Sequence, residues 1–174
     1  MKSRHLPWIA FLPLAAFHIG QAVWYLPDLP ARVAGHFDAA GRPNGWSSSA
    51  GVLAAAAVEI AIMAVIFAAA GLLRFVPADL VNVPNKAYWL APGRREATFA
   101  LLRDWSRWVV VLTLTFLTAI FNAALRANLT TPPRLAPFWI WLAAAFAIGI
   151  VTMIVALIRH FRTPRVAGPS TGPP

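Results

Sequence analysis

The stretch "GVLAAAAVEIAIMAVIFAAAGLL", residues 51 to 73, decides the fold class of this chain. Its side chains are almost all apolar, and Glu59 is its one charged residue. A helix rises about 1.5 Å per residue, so about 20 apolar residues cross the roughly 30 Å hydrocarbon core of a bilayer. The stretch therefore predicts a membrane-spanning helix.

Three more apolar blocks of similar length occupy residues 6 to 26, 108 to 125 and 138 to 158. Their apolar residues are continuous, whereas membrane β-strands alternate. Only 12% of the chain is charged, against about 25% in soluble domains. We therefore predict an all-α integral membrane protein. Residues 1 to 162 form one four-helix bundle, and the Pro- and Gly-rich tail, residues 163 to 174, is disordered.

Basic residues predict the orientation of this bundle. Eleven of them adjoin one set of span ends, namely Lys2, Arg4, Arg74, Lys86, Arg94, Arg95, Arg103, Arg107, Arg159, Arg162 and Arg165. Four adjoin the other set, namely Arg32, Arg42, Arg126 and Arg134. The positive-inside rule then places both termini in the cytoplasm, an external loop after the first helix, and a basic cytoplasmic loop between the second and third. A signal peptide cleaved after Ala22 is an alternative interpretation of the first span.

The partners expected from this charge are membrane lipids. A net charge of +9 also occurs in nucleic-acid-binding proteins, but here the charge collects beside span ends, where anionic headgroups lie. Cysteine is absent, and no phosphate-binding loop, nucleophile elbow or His-Glu-x-x-His pair occurs. The sequence therefore predicts no catalytic residue, no metal site, no cofactor and no nucleic-acid partner, and it does not favour an enzyme.

Polar side chains inside the spans cost free energy and so require a reason. Glu59 lies about 12 Å from the outer end of its span, and His18 lies at a similar depth. We expect a polar level on three helices, formed by His18, Gln21, Glu59, Thr118 and Asn122. These residues either form interhelical hydrogen bonds or have a functional role through Glu59. In that role Glu59 is a ligand contact, a proton carrier or a partner of His18.

The external loop carries the sequence "LPARVAGHFDAAGRPNGW", residues 29 to 46. Prolines predict an extended exit from the membrane, and Gly41, Pro43, Asn44 and Gly45 predict a tight turn. The chain then returns to the interface at a tryptophan. The residues predicted to bind a ligand or partner are His36, Phe37, Asp38 and Trp46. The alternatives are a cap over the bundle, or a metal site shared with Glu59 or His18.

The cytoplasmic loop predicts a second surface. A helix from Arg94 would lie on the inner headgroups before turning into the third span, with a solvated helix extension as the alternative. Tyr88 and Trp89 are typical interface anchors, and a partner-binding surface is also open. The residues singled out are Asn82, Asn85, Lys86, Tyr88, Trp89, Arg94 and Arg95.

Ten residue types follow one another in the external loop, namely Leu29, Pro30, Val33, Ala34, His36, Phe37, Gly41, Pro43, Gly45 and Trp46. This series resembles the signature of the domain of unknown function family 1648, and residues 82 to 98 are similar to a further stretch of it. The resemblance implies a small multi-pass protein of the bacterial cytoplasmic (inner) membrane. A larger relative in the family, an immunity and signalling protein against a secreted toxin of sporulating bacilli, implies that His36 and its neighbours contact a peptide or envelope partner.

Three functions fit these patterns. The first is a binding, sensing or immunity-type module that recognises an extracytoplasmic peptide or envelope protein through the external loop. The second is a proton- or ion-coupled small transporter that uses Glu59 and His18. The third is an accessory subunit of a larger membrane complex.

Overall fold

Four long helices dominate the computed structural model, which describes residues 6–162. They are α1 (Leu6–Tyr25), α2 (Ser49–Ala69), α4 (Arg95–Ala127) and α5 (Trp139–Arg162), and a short helix α3 (Lys86–Trp89) precedes α4. All four are long and apolar enough to cross a membrane, as the sequence predicts. The predicted disordered tail and the basic residues 2, 4 and 165 lie outside the described residues.

Helix α4 is the centre of the bundle and contacts α1, α2 and α5. Its 33 residues extend about 50 Å, well beyond the hydrocarbon thickness. The predicted change of direction between a headgroup helix and a span beginning at residue 108 is wrong, because one helix runs through both. No Pro or Gly occurs between Arg95 and Ala127, so nothing interrupts the backbone hydrogen bonds.

A two-stranded antiparallel sheet, the hairpin, joins α1 to α2. Its strands are β1 (Arg32–Phe37) and β2 (Pro43–Ser48). The all-α prediction therefore missed a sheet, because the alternation in this segment is short and interrupted by Gly and Pro. At the end of β2, the Ser48 side chain accepts a hydrogen bond from the Gly51 N–H at 3.0 Å and caps the start of α2.

The turn of the hairpin lies between Asp38 and Arg42 and includes Gly41, as predicted, but its predicted extension to residue 45 is wrong because residues 43–45 belong to β2. Asp38 Oδ1 accepts hydrogen bonds from the backbone N–H groups of Ala40 at 2.9 Å and Arg42 at 2.8 Å. Gly41 has a φ of +74°, and a Cβ there would overlap the Leu135 carbonyl oxygen. The carboxylate and the glycine together reverse the chain before Pro43, which is free to begin β2.

Asn128, at the end of α4, fixes the hairpin to the bundle. Its Oδ1 accepts from the Ala34 N–H at 2.7 Å, and its Nδ2 donates to the Ala34 carbonyl at 3.0 Å. The same Nδ2 donates to the Ala124 carbonyl at 2.8 Å. One buried amide thus pairs with β1 as a neighbouring strand would.

Apolar clusters stabilise both ends of the bundle. At the end that carries the hairpin, the hairpin end, the buried members are Leu29, Val33, Val52 and Leu125. At the other end, the connector end, they are Phe11, Phe67, Val110, Val111 and Leu114. The connector itself comprises residues 70–94, which join α2 to α4. A short polar stretch of α1, α2 and α4 lies between the clusters.

Candidate functional site

His18 lies at the centre of this polar stretch and is fully buried. Its Nδ1 lies 3.1 Å from Thr118 Oγ1, and its Nε2 lies 3.2 Å from Glu59 Oε2. The ring of Phe121 stacks on the imidazole with a centroid distance of 4.8 Å. His18 and Glu59 therefore face each other across α1 and α2.

Two amides extend the network along α4. Gln21 Nε2 donates to the Thr118 carbonyl at 3.1 Å, and Asn122 Nδ2 donates to Gln21 Oε1 at 3.0 Å. All five polar residues singled out in the spans therefore lie together, and we call them the polar layer. Depth counted along each helix was enough to find them, because helical rise is constant.

The Glu59 carboxylate is only partly engaged by the polar layer. Its contact with His18 has the distance of an ion pair but not the alignment of a hydrogen bond. The Glu59 side chain is 36% exposed, whereas that of His18 is inaccessible. Glu59 is therefore the member of the pair that a ligand can reach.

Glu59 lines two cavities beneath the hairpin. The large cavity, about 540 Å³, lies between the hairpin, α2, α4 and α5. The small cavity, about 250 Å³, lies between the hairpin, α2 and α4. Glu59, Gly35 and His36 line both. The carboxylate on α2 and the imidazole on β1 thus share one site, although they come from separate elements.

The four hairpin residues predicted to bind have different environments. His36 is exposed and lies against Gly45, where an added Cβ would come within 3.0 Å of the imidazole. Phe37 packs against the cluster of Ala123, Ala127 and Leu135. Its ring therefore packs as part of a cap over the bundle, which the sequence predicts as an alternative to ligand binding.

Asp38 and Trp46 also have structural partners. Asp38 lines the large cavity, but its Oδ1 is engaged in the turn by two backbone N–H groups. Trp46 is 45% exposed on β2, and the Arg32 guanidinium lies 4.7 Å from the centre of its ring. Trp46 lines the small cavity rather than the large one. Among residues 6–162, no three His, Asp or Glu side chains are grouped to hold a metal ion.

In the connector, Asn85 and Trp89 are used inside the fold. Asn85 Nδ2 donates to the carbonyls of Phe161 at 2.9 Å and Arg162 at 3.2 Å, and Trp89 Nε1 donates to the Phe161 carbonyl at 2.9 Å. These carbonyls lie in the last turn of α5, where the helix supplies no partner for them. The two side chains therefore cap α5.

The other connector residues divide between local contacts and a basic surface. Lys86 Nζ donates to the Asp79 carbonyl at 2.9 Å, and the Arg94 guanidinium lies 3.9 Å from the centre of the Tyr88 ring. Asn82 is exposed. Arg95 lines a separate cavity of about 390 Å³, whose charged residues are Arg74, Arg95, Glu96 and Arg103.

Sequence reasoning missed Asn128, which positions the hairpin, and Trp139, which lines the large cavity from α5. An asparagine directly after a helix is a signal for a cap. Its second partner, a strand edge 94 residues earlier, has no local signal. Trp139 stands at the start of an apolar block. Its place in the cavity wall can be inferred only once α5 is known to pack on α4.

The first helix, the hairpin and most of α2 are the part of the chain that can be compared with known proteins. Residues 8–67 match DUF1648, a domain of unknown function. The DUF1648 segment contains His18, Gln21 and Glu59 together with both strands, whereas Thr118, Asn122 and Asn128 lie outside it. Residues 82 to 98, the second stretch of resemblance, also lie outside it. No curated protein and no solved structure matches the chain.

Proposed function

We propose that this protein is a membrane-bound binding module that takes an extracytoplasmic ligand into the large cavity. The observation that carries the proposal is the position of Glu59 and His36, which line one cavity of about 540 Å³ although they lie on different elements. Small-molecule sites commonly have volumes of about 300–1,000 Å³, with apolar walls and a few convergent polar groups. The large cavity fits this description.

The side from which the ligand comes follows from the distribution of basic residues. The positive-inside rule places the connector end in the cytoplasm and the hairpin outside. The basic cavity, lined by Arg74, Arg95 and Arg103, then lies at the level of anionic inner headgroups, which supports membrane lipids as its partner.

An immunity or signalling role is the finer form of the proposal. It comes from the resemblance to a family with a toxin-immunity relative, and it is an analogy of fold and segment rather than of chemistry. In that role the ligand is a peptide or another component of the envelope, and the hairpin is its point of entry.

The proposal is tested by filling the large cavity. Ala124 lies on its wall, so Ala124→Phe should place a ring inside it. Ala145→Phe is the matched control, because Ala145 is exposed on α5 and lines neither cavity. Native mass spectrometry of protein released from bacterial membrane vesicles should show a bound species in the parent and in Ala145→Phe that Ala124→Phe lacks. Identical spectra for all three would contradict the proposal.

A proton-coupled carrier is the second candidate, favoured by the contact of Glu59 with buried His18 on one side and with both cavities on the other. A carboxylate between a ligand space and a buried polar network is typical of proton relays. In proteoliposomes with an imposed inward proton gradient, the protein should conduct protons and acidify the lumen. Glu59→Gln should abolish that flux. No flux under any gradient removes this candidate and leaves the binding module.

A further inference from the structure

We infer that the large cavity binds a cationic amphiphile, a molecule with one positively charged nitrogen and an apolar body. This inference rests on the proposed function and names its ligand class. It follows from the charges that line the site, from the engagement of each carboxylate, and from the apolar walls.

The carboxylates that line the cavities are opposite in charge to the chain as a whole. The protein has 15 Lys and Arg residues and a net charge of +9. Among residues 6–162, no Lys or Arg lines the large or the small cavity, where the titratable groups are Glu59, Asp38 and His36. An anionic ligand would therefore lie beside two carboxylates with no Lys or Arg among the described lining residues, which is unfavourable at low dielectric. A cation is the charge that this lining can stabilise.

Glu59 is the carboxylate that is available to such a cation. Asp38 uses one oxygen for two backbone hydrogen bonds in the turn, and those bonds hold the hairpin in shape. Glu59 has one oxygen near His18 Nε2, without hydrogen-bond alignment, and more than a third of its side chain is exposed. A cationic nitrogen in the cavity gives this carboxylate the charge-assisted contact that His18 alone does not supply.

The remainder of the wall fits an apolar body. Phe116, Leu117, Ile120 and Trp139 face the large cavity from α4 and α5. A ligand with only a charged nitrogen would leave this apolar wall uncovered, and one with only an alkyl chain would leave the Glu59 carboxylate with no charged contact beyond the misaligned one to His18. The two parts of the site therefore require both parts of an amphiphile.

The test compares two photoreactive probes with the same alkyl chain, a diazirine-bearing decylammonium and the corresponding decyl alcohol. The full-length protein is reconstituted in phosphatidylcholine nanodiscs, and labelled positions are located by peptide mass spectrometry. The ammonium probe should label residues 116–124 and 139–143, and excess unlabelled decylammonium should compete. The alcohol should label these segments about tenfold less, which corresponds to the loss of one favourable ionic contact.

Three variants make the result specific. Glu59→Gln keeps the shape of the side chain and should reduce ammonium labelling about tenfold, whereas Glu59→Asp keeps the charge and should retain most of it. Glu96→Gln is the matched control, because it removes a carboxylate at the connector end and should change nothing.

The possible failures are distinct. Equal labelling by amine and alcohol, unchanged in Glu59→Gln, would overturn the cationic class while leaving ligand binding in the cavity intact. Absence of labelling by either probe in residues 116–124 and 139–143 would overturn both this inference and the proposed binding function.

Discussion

Asn128 connects two distant parts of the chain through one side chain. Its amide satisfies both the N–H and the carbonyl of Ala34, and the residue is only 4% exposed. A buried backbone group without a partner costs about 1–3 kcal/mol. The position of β1 over the cavities therefore depends on this residue.

Asn128→Ala should lower the free energy of unfolding by about 2–4 kcal/mol, because it leaves both polar groups of Ala34 without partners. Thermal unfolding in mild detergent measures the effect. Asn44→Ala is the control, since Asn44 is exposed on β2 and should alter stability by less than about 0.5 kcal/mol. Equal melting temperatures for the two variants would show that the amide does not hold the hairpin.

The connector stabilises α5 by capping its last turn. Asn85 adopts a φ of 54°, a left-handed conformation that asparagine tolerates better than most residues. The backbone conformation and the side-chain donor therefore contribute separately, and substitutions can distinguish them.

Asn85→Gly should retain the left-handed backbone conformation and lose the two hydrogen bonds to Phe161 and Arg162. Asn85→Ala should lose those hydrogen bonds and also disfavour the left-handed conformation. Hydrogen exchange of residues 155–162 measures fraying of α5. We expect exchange to rise about fivefold in the glycine variant and further in the alanine variant, as the hydrogen bonds contribute about 1 kcal/mol. Exchange rates that match the parent in both variants would remove the capping role.

The elements that sequence predicts well are those whose signal is local. Apolar length alone identifies residues 51–73 as a span. Helical rise is constant, so counting residues along each helix places Glu59 and His18 at one depth. The strands of the hairpin escaped prediction because their alternation is short and interrupted, and the place of the turn depends on Asp38 accepting two backbone hydrogen bonds and on a positive φ at Gly41. These conditions become visible only when Leu135 packs against the turn.

The arrangement of helices around α4 could not be predicted for a different reason. All four long helices carry apolar side chains on most of their circumference, and α5 exposes Trp141 and Ile148 widely. Apolar faces toward lipid and toward another helix have the same composition, so the sequence does not say which face packs. The sequence predicted that the residues of the polar layer lie at one depth. Which of them touch each other depends on how each helix is rotated about its axis, and the sequence does not give that rotation.

The orientation of the whole molecule is open to a direct test, because the chain has no cysteine. Asn44→Cys on the hairpin and Asn82→Cys in the connector are both exposed. A membrane-impermeant maleimide should label the first variant in intact cells and the second only after permeabilisation, as the positive-inside rule requires. The reverse pattern would place the large cavity at the cytoplasmic side and contradict an extracytoplasmic ligand.

The most direct measurement is an electron cryo-microscopy structure of the protein isolated from its native membrane with decylammonium added. A rigid antibody fragment bound at the connector end provides the necessary size. We predict density for one amphiphile in the large cavity, with its nitrogen within about 3 Å of a Glu59 oxygen and its chain against Phe116 and Trp139. A hairpin collapsed onto α4 with no remaining cavity, or an amphiphile bound away from Glu59, would contradict this prediction.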